Sequence, residues 1–254
     1  MMGRSNLPQL LAGALLGSLA ANLLLLRQGR HYYRMWRQTQ IDPLGRRNAA
    51  PDWHAEPRPA TGDTTVVFFG DSRAEQWVFP TGLPGCRFIN RGIDGQTSAQ
   101  ALYRFKQDVL PLQPDIILIQ VGINDLRLIP ALPDDKAFII ATCKQHLRSM
   151  VAEAIAGGAQ VILTTIFPVG RPALTQAQRL VWSPAIAHGV DDVNAMIRTL
   201  TAPNLTVFDS YATLEDDGLI RKTFAADWLH LNAAGYATLN AALEPLLMRL
   251  RKDA

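Results

Sequence analysis

Five residues whose types could support nucleophilic catalysis lie at the ends of predicted strands or before the last predicted helix. Ser72 closes a Gly-Asp-Ser turn after the first strand, Gly95 lies in the turn after the second, and Asn124 follows the third. Asp227 and His230 are three residues apart just before the final helix. A histidine can take the proton of an attacking serine hydroxyl, and an acid that binds one ring nitrogen leaves the other facing the serine.

These residues belong to four short clusters, which are 70–72, 90–98, 122–125 and 227–230. Each cluster also has an ordinary structural explanation. Gly-Asp-Ser is a common turn and helix N-cap, a glycine turn can precede a Ser or Thr cap, and an asparagine can form an Asx-turn. The occurrence of all four together is what indicates a functional site.

The elements that must position the clusters follow from the hydrophobic pattern. The predicted strands are 65–69, 86–89, 115–121, 160–166 and 205–209, and the predicted helices are 97–109, 134–156, 174–200 and 233–251. The nearly continuous apolar character of the third and fourth strands favours a parallel sheet buried on both faces. The alternation predicts an α/β fold, a three-layer α/β/α sandwich with a mainly parallel five-stranded, flavodoxin-like sheet. In such folds ligands bind beyond the carboxyl ends of the strands, where the clusters lie.

In this order, the clusters resemble the signature blocks of the SGNH hydrolases, the GDSL-type esterase and lipase superfamily, over residues 64–250. The resemblance implies that Ser72 is the nucleophile and His230 the general base. It also implies that Asp227 orients His230 and stabilises the imidazolium.

The resemblance further implies an oxyanion hole built from the backbone N–H of Ser72, the backbone N–H of Gly95 and the side-chain amide of Asn124. Gly95 matches better than Gly92, because the oxyanion glycine of the family falls in a Gly-x-Thr/Ser context. Arg73 is a departure, since leucine or isoleucine commonly follows the serine in this superfamily. We expect Arg73 either to face an anionic substrate group or to point into solvent.

The implied activity is serine ester hydrolysis through an acyl-enzyme, with no cofactor and no metal ion. Two substrates stay open, a lipid acyl ester or thioester and an O-acetylated carbohydrate. Apolar residues in the loops 126–133 and 167–182, which are expected to wall the pocket, favour an acyl chain. A catalytically idle domain that binds acyl or glycan groups in a membrane assembly, and an acyltransferase using the same residues, are the alternatives.

Competing sites lack their sequence signals. The chain contains no G-x-S-x-G, no G-x-G-x-x-G and no G-x-x-x-x-G-K-[ST], and its other histidines have no partners at metal-ligand spacing. Residues 1–47 carry seven arginines and one aspartate, a net charge of +6, whereas the other 207 residues carry 18 basic and 21 acidic side chains, or −3. Basic residues therefore do not cluster on the predicted domain, and no nucleic-acid partner is expected.

Residues 7–26 form an uncharged stretch of twenty positions with ten leucines. As a helix, this stretch is about 30 Å long, the thickness of the hydrocarbon core of a bilayer. The sequence predicts an uncleaved membrane anchor over 1–26, in contact with membrane lipid. A buried core helix and a cleaved signal peptide are the alternatives.

Residues 27–61 predict a basic and aromatic juxtamembrane segment followed by a proline-rich tether, and 62–254 form the predicted hydrolase domain. The excess of arginine after the anchor favours a cytoplasmic catalytic domain by the positive-inside rule. Anchored members of the superfamily often act outside the cytoplasm, so the side of the membrane stays open.

Overall fold

The structure, a computed structural model, describes residues 7–49, 63–170 and 183–251. Its main sheet contains β1 (Thr64–Gly70), β2 (Cys86–Gly92), β3 (Ile116–Gln120), β4 (Gln160–Thr164) and β5 (Leu205–Phe208). A short hairpin contains β6 (Glu215–Asp216) and β7 (Leu219–Ile220). All five predicted strands are confirmed, with ends that differ by at most three residues.

Long helices alternate with the strands, and short helical turns follow several of them. The α-helices are α1 (Leu7–Ile41), α2 (Ser72–Glu75), α3 (Ser98–Asp108), α4 (Ile123–Leu126), α5 (Lys136–Ala156), α6 (Pro184–Arg198), α7 (Ser210–Leu214) and α8 (Ala233–Leu250). The predicted helix over 174–200 corresponds to α6, and its first residues lie outside the described residues.

The five strands are all parallel and run in the order β2-β1-β3-β4-β5. This order and the layers of helices confirm the predicted α/β/α sandwich. The register pairs Gly70, the last residue of β1, with Gly92 on one side and Gln120 on the other. The carboxyl ends of β1, β2 and β3 therefore finish level at one edge of the sheet.

Side chains of the strands alternate between two apolar layers because successive residues of a strand point to opposite faces. On one face, Val67 and Phe69 of β1 pack with the buried faces of α3, α5 and α6. On the other face, Val66 and Phe68 pack with α8, whose leucines are buried. Both faces are thus covered, which explains why the strand sequences are apolar without alternation.

Helix α1 forms a compact unit with the residues around it, distinct from the unit that contains the sheet. It is long and apolar enough to cross a membrane, and its 18-residue apolar window has a mean hydropathy of 1.8 with no burial inside the described chain. The helix continues without a break through the basic and aromatic residues as far as Ile41.

Residues 44–49 belong to the unit that contains the sheet. The Leu44 carbonyl accepts a hydrogen bond from the Gln96 side chain, and Arg46 forms a 3.0 Å ion pair with Asp108 at the end of α3. The rest of the predicted tether, 50–61, lies outside the described residues. The first part of this segment therefore contacts the domain near the second cluster.

Candidate active site

The carboxyl ends of β1, β2 and β3 bring the first three clusters together. Close packing at this edge requires glycine at two positions. A Cβ at Gly70 would lie 1.7 Å from the Gln120 carbonyl oxygen, and one at Gly92 would lie 2.2 Å from the Glu75 nitrogen. These two glycines let β1 and α2 approach their neighbours, so that Ser72, at the start of α2, lies against the sheet.

The Ser72 hydroxyl, His230 and Asp227 form a chain of hydrogen bonds. Ser72 Oγ lies 3.1 Å from His230 Nε2, and His230 Nδ1 lies 2.9 Å from Asp227 Oδ2. Ser72 is 158 residues before His230, so the fold itself creates this contact. With the proton on Nδ1 donated to the carboxylate, Nε2 is free to accept the serine proton.

The Asp227 carboxylate is held by more than the imidazole. Its Oδ1 accepts from the backbone N–H groups of Leu229, at 2.6 Å, and of His230, at 2.7 Å. Partial burial acts to raise the pKa of Asp227, but these bonds and the one with the His230 ring outweigh it and leave the pKa below its ordinary value. The carboxylate is therefore ionised where it faces His230.

Ser72 begins α2 immediately after its N-cap, Asp71. Asp71 Oδ1 accepts from the Arg73 N–H at 2.9 Å, and the carboxyl group is fully buried. Burial raises the pKa of Asp71 to about 6, although the nearby Arg73 acts to lower it. The backbone N–H of Ser72 donates to no acceptor in the described part of the chain, which leaves it available to a ligand.

Asn124, in the turn after β3, is oriented through both ends of its amide. Its Nδ2 donates to the Gln96 carbonyl at 3.0 Å, and its Oδ1 accepts from Arg127 Nη1 at 3.0 Å. The opposite orientation would place the amide N–H groups against a cation. One N–H of Asn124 is therefore left for a further acceptor. Gly95, with a left-handed φ of 74°, is exposed beside Gln96, and its N–H has no acceptor within the described residues.

Arg104 holds the second cluster, residues 90–98, in place through hydrogen bonds. Its fully buried guanidinium donates to the Gln96 side-chain oxygen at 2.7 Å and to the carbonyls of Arg91 and Gly70 at 2.8 and 3.1 Å. Burial lowers the pKa of Arg104 to about 9, a value at which it is still a cation at neutral pH. Arg104 thus joins the ends of β1 and β2 to the turn that carries Gly95.

Arg73 differs from both expectations for it, because its side chain faces neither a substrate position nor solvent. It is fully buried, and its three nitrogens donate to backbone carbonyls. Nε donates to Leu229 at 3.0 Å, Nη1 to Phe167 at 3.0 Å and Nη2 to Pro168 at 3.2 Å. Burial lowers the pKa of Arg73 to about 10. The backbone direction of α2 turns this side chain inward, which the sequence does not reveal.

Three of the apolar side chains that were expected to favour an acyl chain lie in the core. Leu126 and Ile129 pack under the sheet, and Phe167 packs on the other face against Trp77. Residues 171–182 of the second loop, including Trp182, lie outside the described residues. Leu128 and Leu132 of the first loop, by contrast, are 43% and 46% exposed.

A second group of Ser, His and Asp lies behind the first. The Ser98 hydroxyl donates to Asp125 Oδ1 at 2.6 Å and lies 2.9 Å from His146 Nδ1, and its N–H donates to Asp125 Oδ2 at 2.7 Å. Ser98 is fully buried. Burial raises the pKa of Asp125, although the two hydrogen bonds from Ser98 act to lower it.

Among the described residues, no three His, Cys, Asp or Glu side chains are grouped so that they could bind a metal ion.

The structure brings all five predicted site residues to one edge of the sheet. Gln96 lies in the second predicted cluster but was given no role there, and Arg104 and Arg127 were not predicted as neighbours of the site. Arg127 is three residues after Asn124, and this spacing on a helical turn is a signal that could have indicated its contact. Gln96 contacts Asn124 through its backbone carbonyl, and Arg104 contacts the site through buried hydrogen bonds. Neither kind of contact leaves a pattern of residue types in the sequence.

Comparison with known proteins adds three findings. The chain matches the model of the GDSL-like Lipase/Acylhydrolase family over residues 68–238. It is similar to the uncharacterized lipoprotein YqeF of Bacillus subtilis (strain 168), with 31% identity over 125 residues, which are 42% of this chain and 50% of the relative. It is also similar to an acetylxylan esterase of Geobacillus stearothermophilus, with 34% identity over 85 residues, 33% of this chain and 39% of the relative. The chain thus spans half or less of the length of these two relatives.

The fold is similar to that of a solved GDSL-like lipase from Bacteroides thetaiotaomicron, with a TM-score of 0.65 and 24% identity. This likeness covers 81% of the present chain and 98% of the other. At this level of identity the likeness shows the fold.

Proposed function

The chain belongs to the GDSL-like lipase/acylhydrolase family, as the four clusters predict, and on that premise we propose that it is a serine ester hydrolase with Ser72 as nucleophile. The observation that carries the proposal is the continuous chain of hydrogen bonds from the Ser72 hydroxyl through His230 to Asp227. A histidine within 3.1 Å of the hydroxyl is in reach of the proton that it must remove.

In the acylation step, Ser72 Oγ attacks the ester carbonyl carbon while its proton moves to His230 Nε2. The imidazolium that forms is stabilised by the ionised Asp227 and then gives the proton to the leaving alcohol oxygen. Water next attacks the acyl-serine, with His230 again taking the proton, and the acid is released with Ser72 restored.

The negative charge that develops on the carbonyl oxygen needs donors with no other acceptor. The N–H groups of Ser72 and Gly95 and the second N–H of the Asn124 amide meet this requirement. We assign them as the oxyanion hole. Each such donor is typically worth about 10²–10³ in kcat.

For the substrate, we favour a short acyl ester on a polar, carbohydrate-like molecule over a long-chain lipid ester. Leu126, Ile129 and Phe167 are buried in the core and are not available to hold an acyl chain, which leaves Leu128 and Leu132 as the exposed large apolar residues in the described part of the two loops. The acetylxylan esterase relative points in the same direction. The lipid ester stays a second candidate because the chain carries a helix able to cross a membrane.

We also propose that residues 1–26 are a single-pass anchor that contacts membrane lipid. The leucines of α1 from Leu10 to Leu26 are exposed, with Leu15 at 74% and Leu25 at 70%. An apolar surface of this size is stable in lipid and costly in water. A protease added outside sealed vesicles that contain the protein would assign the side of the membrane. Cleavage of the domain with protection of the segment around residue 4 would place the domain outside the vesicle, and the opposite result would place it inside.

The first experiment is labelling of the full-length protein in detergent with a fluorophosphonate probe. We expect labelling of the wild type, no labelling of Ser72→Ala, and normal labelling of Ser98→Ala, which removes the hydroxyl of the second Ser-His-Asp group. Absence of labelling in folded wild type would contradict the hydrolase and support the idle binding domain.

The second experiment measures p-nitrophenyl esters of increasing chain length together with acetate release from O-acetylated xylan. Activity that falls beyond acetate or butyrate supports the short acyl group, whereas activity that rises to eight carbons or more supports the lipid ester. Added alcohols separate hydrolase from transferase, because a transferase forms a new ester faster than it releases acid.

A further inference from the structure

Arg73 directly follows the proposed nucleophile, and its guanidinium joins three separate segments of the chain. One segment is its own turn at the start of α2. The second is Phe167-Pro168, whose two carbonyls accept from Nη1 and Nη2, and the third is Leu229, whose carbonyl accepts from Nε. The guanidinium carbon also lies 5.2 Å from the centre of the Phe167 ring.

Burial of this cation is costly unless it is well compensated. In the part of the chain that the structure describes, no carboxylate lies within ion-pair distance of the Arg73 side chain. Its charge is compensated by three backbone carbonyls, by the Phe167 ring and, at longer range, by Asp71. An apolar side chain would fill the same space without the free-energy cost of burying a charge. Packing alone therefore does not explain an arginine at this position.

The Leu229 carbonyl belongs to the peptide bond that leads into His230. The two ends of the segment from Asp227 to His230 are open to solvent to different degrees, since the side chain of Asp227 is 49% exposed and that of His230 is 22% exposed. The planar guanidinium has donors in a fixed fork, which sets the direction of each bond as well as its length. Arg73 therefore ties the backbone that carries His230 to the backbone that carries Ser72.

We propose that Arg73 is a positioning residue that holds the 227–230 segment against the nucleophile turn, so that His230 Nε2 stays within hydrogen-bond distance of Ser72 Oγ. The inference rests on the proposed function for its effect on rate. A shift of about 1 Å between reacting groups can cost about 100-fold in rate, so release of this tie lowers kcat without weakening substrate binding.

The test compares Arg73→Lys and Arg73→Gln with the wild type, all as full-length protein in detergent micelles. Lysine keeps the charge, but its single nitrogen cannot reproduce the fork that reaches three carbonyls, and glutamine also removes the charge. The matched control is Asn194→Ala. Asn194 is fully buried and holds the backbone N–H and carbonyl of Ile166 at 2.7 and 2.8 Å, next to Phe167, and among the described residues it makes no hydrogen bond to the 227–230 segment.

The measurements are kcat and KM on p-nitrophenyl acetate, the melting temperature, and amide hydrogen exchange over 226–232. For Arg73→Lys we expect kcat to fall about 10- to 100-fold with KM within about twofold, and exchange to become faster in 226–232. Arg73→Gln should lose more. Asn194→Ala should lower the melting temperature with kcat and exchange in 226–232 nearly unchanged.

The proposal is overturned if folded Arg73→Lys keeps the wild-type kcat, or if Asn194→Ala loses as much kcat at a similar melting temperature. It is also overturned if neither Arg73 variant folds, since Arg73 would then be a requirement of the fold as a whole. If the wild type has no esterase activity, the proposed function fails. Exchange in 226–232 then still reports whether Arg73 holds this segment.

Discussion

Two groups of Ser, His and Asp lie in the same domain, and they are hydrogen-bonded in different orders. In the first, His230 stands between Ser72 and Asp227, so the carboxylate binds the imidazole and the imidazole faces the hydroxyl. In the second, Ser98 stands in the middle, and its hydroxyl proton is donated to Asp125. A serine whose proton is committed to a carboxylate and whose oxygen faces a second donor is a poor nucleophile.

The surroundings of the two groups differ in the same sense. The Asp227 side chain is 49% exposed, whereas Asp125 is buried; the two serines, Ser72 and Ser98, are both buried. The pKa of Asp227 is lowered because hydrogen bonds outweigh its burial, and the pKa of Asp125 is raised because burial outweighs its bonds. Residue types alone therefore do not define a reactive site, since the two groups differ in the order of their hydrogen bonds and in the surroundings of their carboxylates.

The largest difference is expected between the two histidines. His230→Ala removes the proton acceptor and should lower kcat on p-nitrophenyl acetate by about 10⁴–10⁶. His146→Ala removes only a partner of Ser98 and should leave kcat within about threefold. Steady-state kinetics with melting temperatures of both variants make the test, and equal losses would contradict the distinction between the groups.

The two aspartates should separate rate from stability. Asp227→Asn should lower kcat by up to about 10⁴, because the imidazolium loses its counter-charge and the imidazole its tautomer. Asp125→Asn should instead cost about 1–3 kcal/mol of stability, because it disturbs a buried acceptor of two bonds. Steady-state kinetics and urea unfolding of both variants test this prediction. A large loss of stability in Asp227→Asn would contradict the assignment of Asp227 to rate rather than stability.

The pH profile adds a check on Asp227. Its carboxylate has a lowered pKa, so its stabilising contribution is present above the ordinary value and is lost only as pH falls through the lowered one. Asp227 therefore keeps its charge and its stabilising contribution between pH 7 and 5, and circular dichroism over that range should show no loss of structure that Asp227→Asn removes.

Asn124 and its neighbour Arg127 should give smaller effects, in that order. Asn124→Ala removes one proposed oxyanion donor and should lower kcat by about 10²–10³ with KM little changed. Arg127→Leu leaves the donor in place but releases the orientation of the amide, and about a tenfold loss is expected. If Asn124→Ala keeps nearly full activity at a normal melting temperature, the oxyanion assignment is wrong.

Asp71 predicts a pH dependence of stability rather than of rate. Its pKa is raised from 3.8 to about 6 by burial, so between these values the folded protein holds a proton that the unfolded chain has lost. The stability that this group contributes is complete below about pH 4 and is lost as pH rises through 6, a change of about 3 kcal/mol. Urea unfolding at pH 4.5 and 7.5 should show about 2 kcal/mol of this loss in the wild type and not in Asp71→Asn. An identical pH dependence in both would contradict it.

Strand ends and residue order were predictable because each strand is an apolar run that stops at a polar turn. Those runs determine where Ser72, Gly95 and Asn124 emerge from the sheet, and an acid three residues before a histidine, just ahead of the last helix, indicates Asp227 and His230. The direction of a side chain that leaves a turn is set by backbone angles, so the inward course of Arg73 was not predictable. The contact of Ser98 with His146 depends on how α3 packs against α5, which neither helix specifies alone.

The smallest effect on kcat is expected from deletion of the amino-terminal segment. This effect should reach the first Ser-His-Asp group and not the second. Removal of residues 1–43 should give a soluble protein with kcat on p-nitrophenyl acetate within about twofold of the wild type, because the unit that contains the sheet begins at Leu44. Removal of residues 1–49 also deletes the partner of Gln96 and the ion pair of Arg46 with Asp108.

Gln96 supplies the carbonyl that orients Asn124, so the longer deletion should lower kcat about two- to fivefold, as expected for the loss of one neutral hydrogen bond and one exposed ion pair. Arg46→Ala in the protein that lacks only residues 1–43 should account for only part of that loss. The exchange protection of the Ser98 amide, which lies in the second group, should be the same in both deletions. If the shorter deletion already unfolds the protein, α1 is part of the domain and the boundary before Leu44 is wrong.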